Sequence, residues 1–212
     1  MRMLLLFLWS LLPIGAGAYH FGPGQDRMRV DQAAASIDRA EGLACDAREL
    51  ASIQGDEAAR DLWLAAEAAY SEALDDLPAD KVDEGRRLRL ERAKAQMFVS
   101  RLPEARRDLA QLVGELEADP ASVEPALLAD ARGVLANAQY YTTWLKRLEG
   151  APRADWEPEI EASRQNYKLL AEELDRRGES KLAALAKEDL ESSIRLARMD
   201  LSELQGLPLP SQ

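Results

Sequence analysis

The chain has 212 residues, 47 % apolar and 31 % charged, with 38 Asp and Glu against 27 Lys and Arg for a net charge of −11. That is enough apolar matter for a core and too much for a disordered chain. The acidic excess argues against a nucleic-acid partner, which needs clustered positive charge.

Met1 and Arg2 precede MLLLFLWSLLPIGAGA, residues 3–18, which carries no charge. The run is short for a membrane span, which needs about 20 apolar residues. Pro13, Gly15 and Gly17 break it, and Ala16-Gly17-Ala18 places small residues where a signal peptidase reads them. Residues 1–18 therefore read as a cleavable signal peptide. The alternative is an uncleaved anchor over residues 3–25, since Tyr19 and His20 to Gln25 add more uncharged chain and two aromatics suited to an interface. A buried helix of a cytosolic protein is the third reading. Both leading readings put the body outside the cytoplasm, periplasmic or secreted. Residues 19–27, with FGPGQ, read as a Gly/Pro linker. His20 lies in it; cleavage after Gly17 would give an Ala-Tyr-His start able to chelate Cu(II) or Ni(II). Cleavage after Ala18 removes that geometry, and a plain linker histidine is expected. The single cysteine, Cys45, cannot form an internal disulfide and reads as a small buried hydrophobe, with an intermolecular link as the alternative.

From residue 28 to 205 the chain divides into helices. Ala, Leu, Glu, Arg and Asp dominate, and strands are hard to place. The first helix spans about 28–53 and ends at the QGD turn. The second carries Leu62, Trp63, Ala66, Ala69, Tyr70, Ala73 and Leu74 at threes and fours, one apolar stripe stopped by Pro78. A third helix has Leu88, Ala93, Ala95, Met97 and Phe98. After the tight SRLPEA connection, with Pro103 in a first turn where its missing N–H costs nothing, a fourth has Ala105, Leu109, Leu112 and Leu116. The fifth carries Leu128, Ala131, Leu135, Ala138, Thr142 and Leu145. The sixth follows the loop GAPRAD, with Asp155 expected as N-cap and Arg176, Arg177 and Gly178 closing it over Ile160, Tyr167, Leu170 and Leu174. A last helix from residue 180 to 205 is expected to cap the stack, and residues 206–212 form an extended tail.

The spacing of Ala66, Tyr70, Ala73 and Pro78 resembles the second helix of a tetratricopeptide repeat: small residue, aromatic, small residue, proline. RLPEARRDL resembles the inter-helix turn and second-helix start of such a repeat, with Glu104 and Ala105 matching, Leu109 in place of the aromatic and Pro120 arriving late. Ala93, Ala105, Leu109 and Leu112 join Trp63, Ala66, Tyr70, Ala73 and Pro78 as repeat-packing residues. The resemblance covers roughly residues 31–178 and implies an all-α fold of antiparallel helical hairpins stacked as a short superhelix. A plain helical bundle is the alternative.

Nothing in the sequence carries catalysis: the lone histidine lies outside the body, Cys45 has no histidine near it, and no phosphate loop or His/Cys metal cluster appears. No cofactor is expected. A carboxylate-based envelope hydrolase is the rival from another class, carboxylate pairs such as Asp75-Asp76 being explained by solvated helix faces. RRLRLERAK (86–94) and ANAQYYTTW (136–144) lie on the first helices of the second and third hairpins, which in the tetratricopeptide fold line the concave groove. The resemblance therefore implies a groove faced by Arg89 and Arg92, or Arg87 and Lys94, with Asn137 and Tyr141. An extended peptide would sit there, arginine taking a carboxylate and asparagine bonding its backbone. The alternative for the basic run is surface pairing with Asp83, Glu84 and Glu91. The expectation is an exported, non-catalytic scaffold for a protein or peptide partner, with membrane-anchored envelope assembly as the alternative.

Overall fold

The computed structural model describes residues 23–119, 121 and 123–205, and among them there are eight helices and no strand. They are α1 (Pro23–Gln54), α2 (Asp56–Asp76), α3 (Val82–Phe98), α4 (Leu102–Ala118), α5 (Pro125–Leu148), α6 (Arg153–Arg176), α7 (Ser180–Arg198) and α8 (Leu201–Gln205). The signal or anchor segment, His20 and the 206–212 tail lie outside the described residues.

The helices pair in chain order. α1 with α2, α3 with α4 and α5 with α6 form antiparallel hairpins, α2, α4 and α6 each pack on the helix that follows, and α3 also touches α5. The core is accordingly a row of clusters rather than one centre. Trp63, Ala66, Tyr70 and Ala73 of α2 close the first cluster against Ala40, Ala44 and Ala47 of α1. Ala93 of α3, Ala105, Leu109 and Leu112 of α4, and Ala131, Leu135 and Ala138 of α5 build the second. Tyr167, Leu170 and Leu174 of α6 meet Ala183 and Ala186 of α7 in the third. The fourth joins Trp144, Ile160, Leu196 and Leu204. Helices of intermediate position serve two clusters at once. On α3, Leu88 and Ala95 face the first hairpin while Leu90, Ala93 and Met97 face α4 and α5, the nearest-neighbour burial of a stacked array.

Alanine at the contacts lets backbones come close, and two buried hydroxyls do the same between α5, α6 and α7. Ser163 donates to the Ala136 carbonyl at 2.8 Å and lies 3.3 Å from Ser193, whose hydroxyl donates to the Asp189 carbonyl at 3.0 Å.

The turns explain the helix ends. α5 and α6 both finish in glycine with positive φ, Gly150 at 73° and Gly178 at 76°. At each, the next amide reaches back to the third-last helical carbonyl: Ala151 to Lys146 and Glu179 to Leu174, both at 2.9 Å. α3 ends the same way through Arg101 N–H to the Gln96 carbonyl at 3.1 Å, but the left-handed position is Ser100, with φ 64°.

Several expectations are corrected. α1 begins at Pro23, so the last part of the 19–27 linker is helical; proline suits a first turn, and a helix of 32 residues absorbs the cost of Gly24. Cys45 is exposed, because the buried stripe of α1 runs Ala40, Ala44, Ala47 and Cys45 stands about 100° round from it. Leu145 is exposed and Trp144 takes its inward place. Pro152 precedes the first residue of α6, leaving Asp155 within the first turn. The last helix breaks at Met199 and Asp200. Asp200 Oδ1 accepts the Glu203 amide at 2.8 Å and Glu203 Oε2 accepts the Asp200 amide at 3.0 Å, a reciprocal cap that starts α8.

Candidate functional site

The basic run of α3 splits by direction. Arg89 donates to both Glu115 oxygens, at 2.6 and 3.2 Å, and Arg92 donates to Asp108 at 2.9 Å. Both therefore brace α3 against α4 within their own hairpin. Hydrogen bonding from Arg89 holds the Glu115 carboxyl below its ordinary range. Arg87 reaches across to Glu124 at 2.7 Å, ahead of α5. Lys94 bridges Glu91 and Asp130, both at 2.8 Å. Burial works against its charge, but those two carboxylates outweigh it and raise the lysine above its usual value. Tyr141 is buried in the α3–α4–α5 core.

Of the expected groove residues, Lys94 and Asn137 come together. They line a cleft of about 430 Å³ with Ala44 and Arg48 of α1, Trp63 and Tyr70 of α2, Glu91, Met97 and Phe98 of α3, and Val134 of α5. Its floor is aromatic: Trp63 and Phe98 stack with centroids 4.3 Å apart and planes 9° from parallel. Burial pushes the Tyr70 phenol up to about 12, helped by Glu91 and Glu41 and opposed by Arg48. Several polar groups of this cleft are uncommitted. Among the described residues, neither the Asn137 amide nor the Arg48 guanidinium has a hydrogen-bond or ion-pair partner. The indole N–H of Trp63 is likewise buried without an acceptor among the described residues.

A second cleft, of about 510 Å³, adjoins the first along α5, sharing Val134 and Asn137. Tyr167, Leu170 and Leu174 of α6 line it, with Leu182, Leu185 and Asp189 of α7 on its far side. Gly133 keeps it open at α5: a Cβ there would stand 3.2 Å from a Leu170 methyl. Leu182 and Leu185 are 49 % and 55 % exposed, so this wall is apolar and uncovered. Burial, then the charge of Glu188, raises the Asp189 carboxyl above its ordinary value.

Sequence reasoning missed Arg48, Leu182, Leu185 and Asp189. Leu182 and Leu185 had a signal, since they lie three apart beside the Ala183–Ala186–Ser193 stripe and widen the apolar arc of α7 beyond one packing face; Asp189 had none. Arg48 had none, because only its lack of a carboxylate distinguishes it. Among the described residues, no helix is long and apolar enough to cross a membrane, and no three His, Cys, Asp or Glu residues group as a metal set. The chain matches no protein-family model, no curated protein and no solved structure.

Proposed function

We propose that the chain is a non-catalytic, tetratricopeptide-like scaffold that works outside the cytoplasm and holds an extended segment of a partner protein along its inner helices. The observation that carries this reading is the contrast between the basic run of α3 and the polar groups of the first cleft. Arg87, Arg89, Arg92 and Lys94 all have carboxylate partners, whereas Arg48 and Asn137 stand beside the aromatic floor of the cleft with none among the described residues. A polar amide facing a half-buried cleft suits the main chain of an extended segment, and an apolar floor with few polar groups suits recognition of its side chains. The export part rests on residues 1–18, with anchoring through residues 3–25 as its alternative.

A photo-cross-linking residue placed at position 137 in the producing cell tests the binding part. A discrete adduct that weakens when Arg48→Glu is added is expected; no adduct, or one indifferent to Arg48, sinks it. N-terminal sequencing of the mature protein with carbonate extraction tests the export part: a chain starting at Tyr19 and released by carbonate is expected, and an intact Met1 retained in the membrane favours the anchor.

A further inference from the structure

The second cleft makes a different demand on a ligand from the first. Leu182 and Leu185 leave a large apolar wall open to solvent at helical spacing, over a floor formed by Leu170 and Leu174. Its one cation among the described residues, Arg177, is spent: it lies 2.6 Å from Glu179 and 3.9 Å from Glu173. Asp130 is likewise neutralised by Lys94 at 2.8 Å. Asp189 is not. Among the described residues no cation or side-chain donor meets its carboxylate, and the groups that bear on it are Glu188 on its own helix, Tyr167 on α6 and Tyr140 and Tyr141 on α5. None of these carries positive charge. The cleft therefore offers an apolar surface with a single unanswered negative charge at its edge, on a chain of net charge −11.

We infer that the cleft between α5 and α7 binds a partner segment in which a lysine or arginine, set against Asp189, is flanked by aliphatic side chains that cover Leu182 and Leu185. This rests on the scaffold reading and adds a second subsite to it with its own partner chemistry. The aliphatic part supplies burial and the basic residue supplies selection, since an acidic residue in the same place would face Asp189 and Glu188 together. Asn137, at the ridge between the two clefts, is placed to hold the main chain of a segment that continues from one to the other.

The test is selection of a random twelve-residue displayed peptide library on the full chain. Enriched peptides are expected to carry Lys or Arg within a few positions of two aliphatic residues. They are expected to bind Asp189→Lys roughly tenfold more weakly, the loss of about one good charge pair. Leu185→Ser is expected to weaken them also, and since all three α7 side chains stand in the cleft, both variants should melt like wild type. Peptides that lack a basic residue, or that bind Asp189→Lys as well as wild type, overturn the inference. If such peptides are instead lost with Arg48→Glu, the scaffold reading survives and the α7 subsite does not. If no peptide is enriched, or the enriched peptides ignore all three variants, both fall.

Discussion

Trp63 of α2 and Phe98 of α3 lie ring on ring, 4.3 Å apart, across the boundary between the first hairpin and the second. The pair is at once inter-hairpin packing and the floor of the first cleft, and Trp63 is only 4 % exposed. Trp63→Ala removes a large buried ring and its stacking partner's support, so it should cost roughly 3–5 kcal/mol. Chemical denaturation checks this, and a wild-type midpoint would mean that the α2 register is mistaken.

The same pair shows what was legible beforehand. Trp63, Ala66, Tyr70 and Ala73 recur at helical intervals, and Gly55, Pro78, Gly150 and Gly178 interrupt the pattern, so helices and hairpins follow from local chemistry. α3 is harder to read because Leu88 and Ala95 face one way and Leu90 and Ala93 another, which blurs any single stripe. The direction of a long cation is harder still. Arg89 and Arg92 find Glu115 and Asp108 on a helix that begins only at Leu102. Spacing in RRLRLERAK separates those two from Arg87 and Lys94, but nothing in it says which pair points toward α5, as Arg87 and Lys94 do. Arg48 and Asp189 are visible as cleft groups only by lacking partners, a property of assembled structure.

Ser100 occupies the left-handed position that closes α3, with φ 64°. A side chain costs about 1 kcal/mol or more there, and glycine does not bear that cost. Ser100→Gly should stabilise the protein by up to about 1 kcal/mol, part of the gain being returned through the freer unfolded chain. A rise of a few degrees in melting temperature is the expected reading, and a fall would mean that Ser100 makes a contact worth more than its strain.

Arg132 of α5 donates to Glu173 of α6 at 2.8 Å and to Glu117 of α4 at 2.7 Å, and its side chain is only 9 % exposed. Three helices from two hairpins thus meet on one guanidinium. Arg132→Met leaves the largely covered Glu173 with only Arg177, 3.9 Å away and shared with Glu179, so roughly 3 kcal/mol should be lost. Adding Glu173→Leu removes the stranded charge and should recover much of that loss. Denaturant titration of the two single variants and the double decides it; simple additivity would mean that the pair is not coupled.

Arg147 of α5 donates to the carbonyls of Leu196 and Met199 where α7 ends, and its guanidinium lies 4.8 Å from the Trp156 ring centroid. It therefore joins the third hairpin to the α7–α8 corner. Arg147→Ala should release that corner with little effect on α1 to α4, since α7 packs chiefly on α6 and α8 on α5. Hydrogen exchange is the measurement: faster exchange confined to the 190–205 region is expected, and uniform loss of protection along the chain would contradict a nearest-neighbour array.

Alkaline pH should unfold the protein through its tyrosines. Burial pushes Tyr70 and Tyr141 up to about 12 and Tyr167 higher still, the last with Asp189 adding to the effect. Below pH 10 the phenols are protonated in both folded and unfolded chains, and their ionisation takes nothing from stability. Between about 10 and 12 the unfolded chain releases these protons and the folded chain keeps them, so each step upward in pH favours unfolding. Phenolate absorbance and helical circular dichroism should therefore change together above pH 10. Tyr167→Phe, which keeps the ring in the third cluster, should move that transition to higher pH. Tyrosines that ionise near pH 10 with the helices intact would show that these rings stand in water, and with them the packing of α2, α5 and α6 would have to be redrawn.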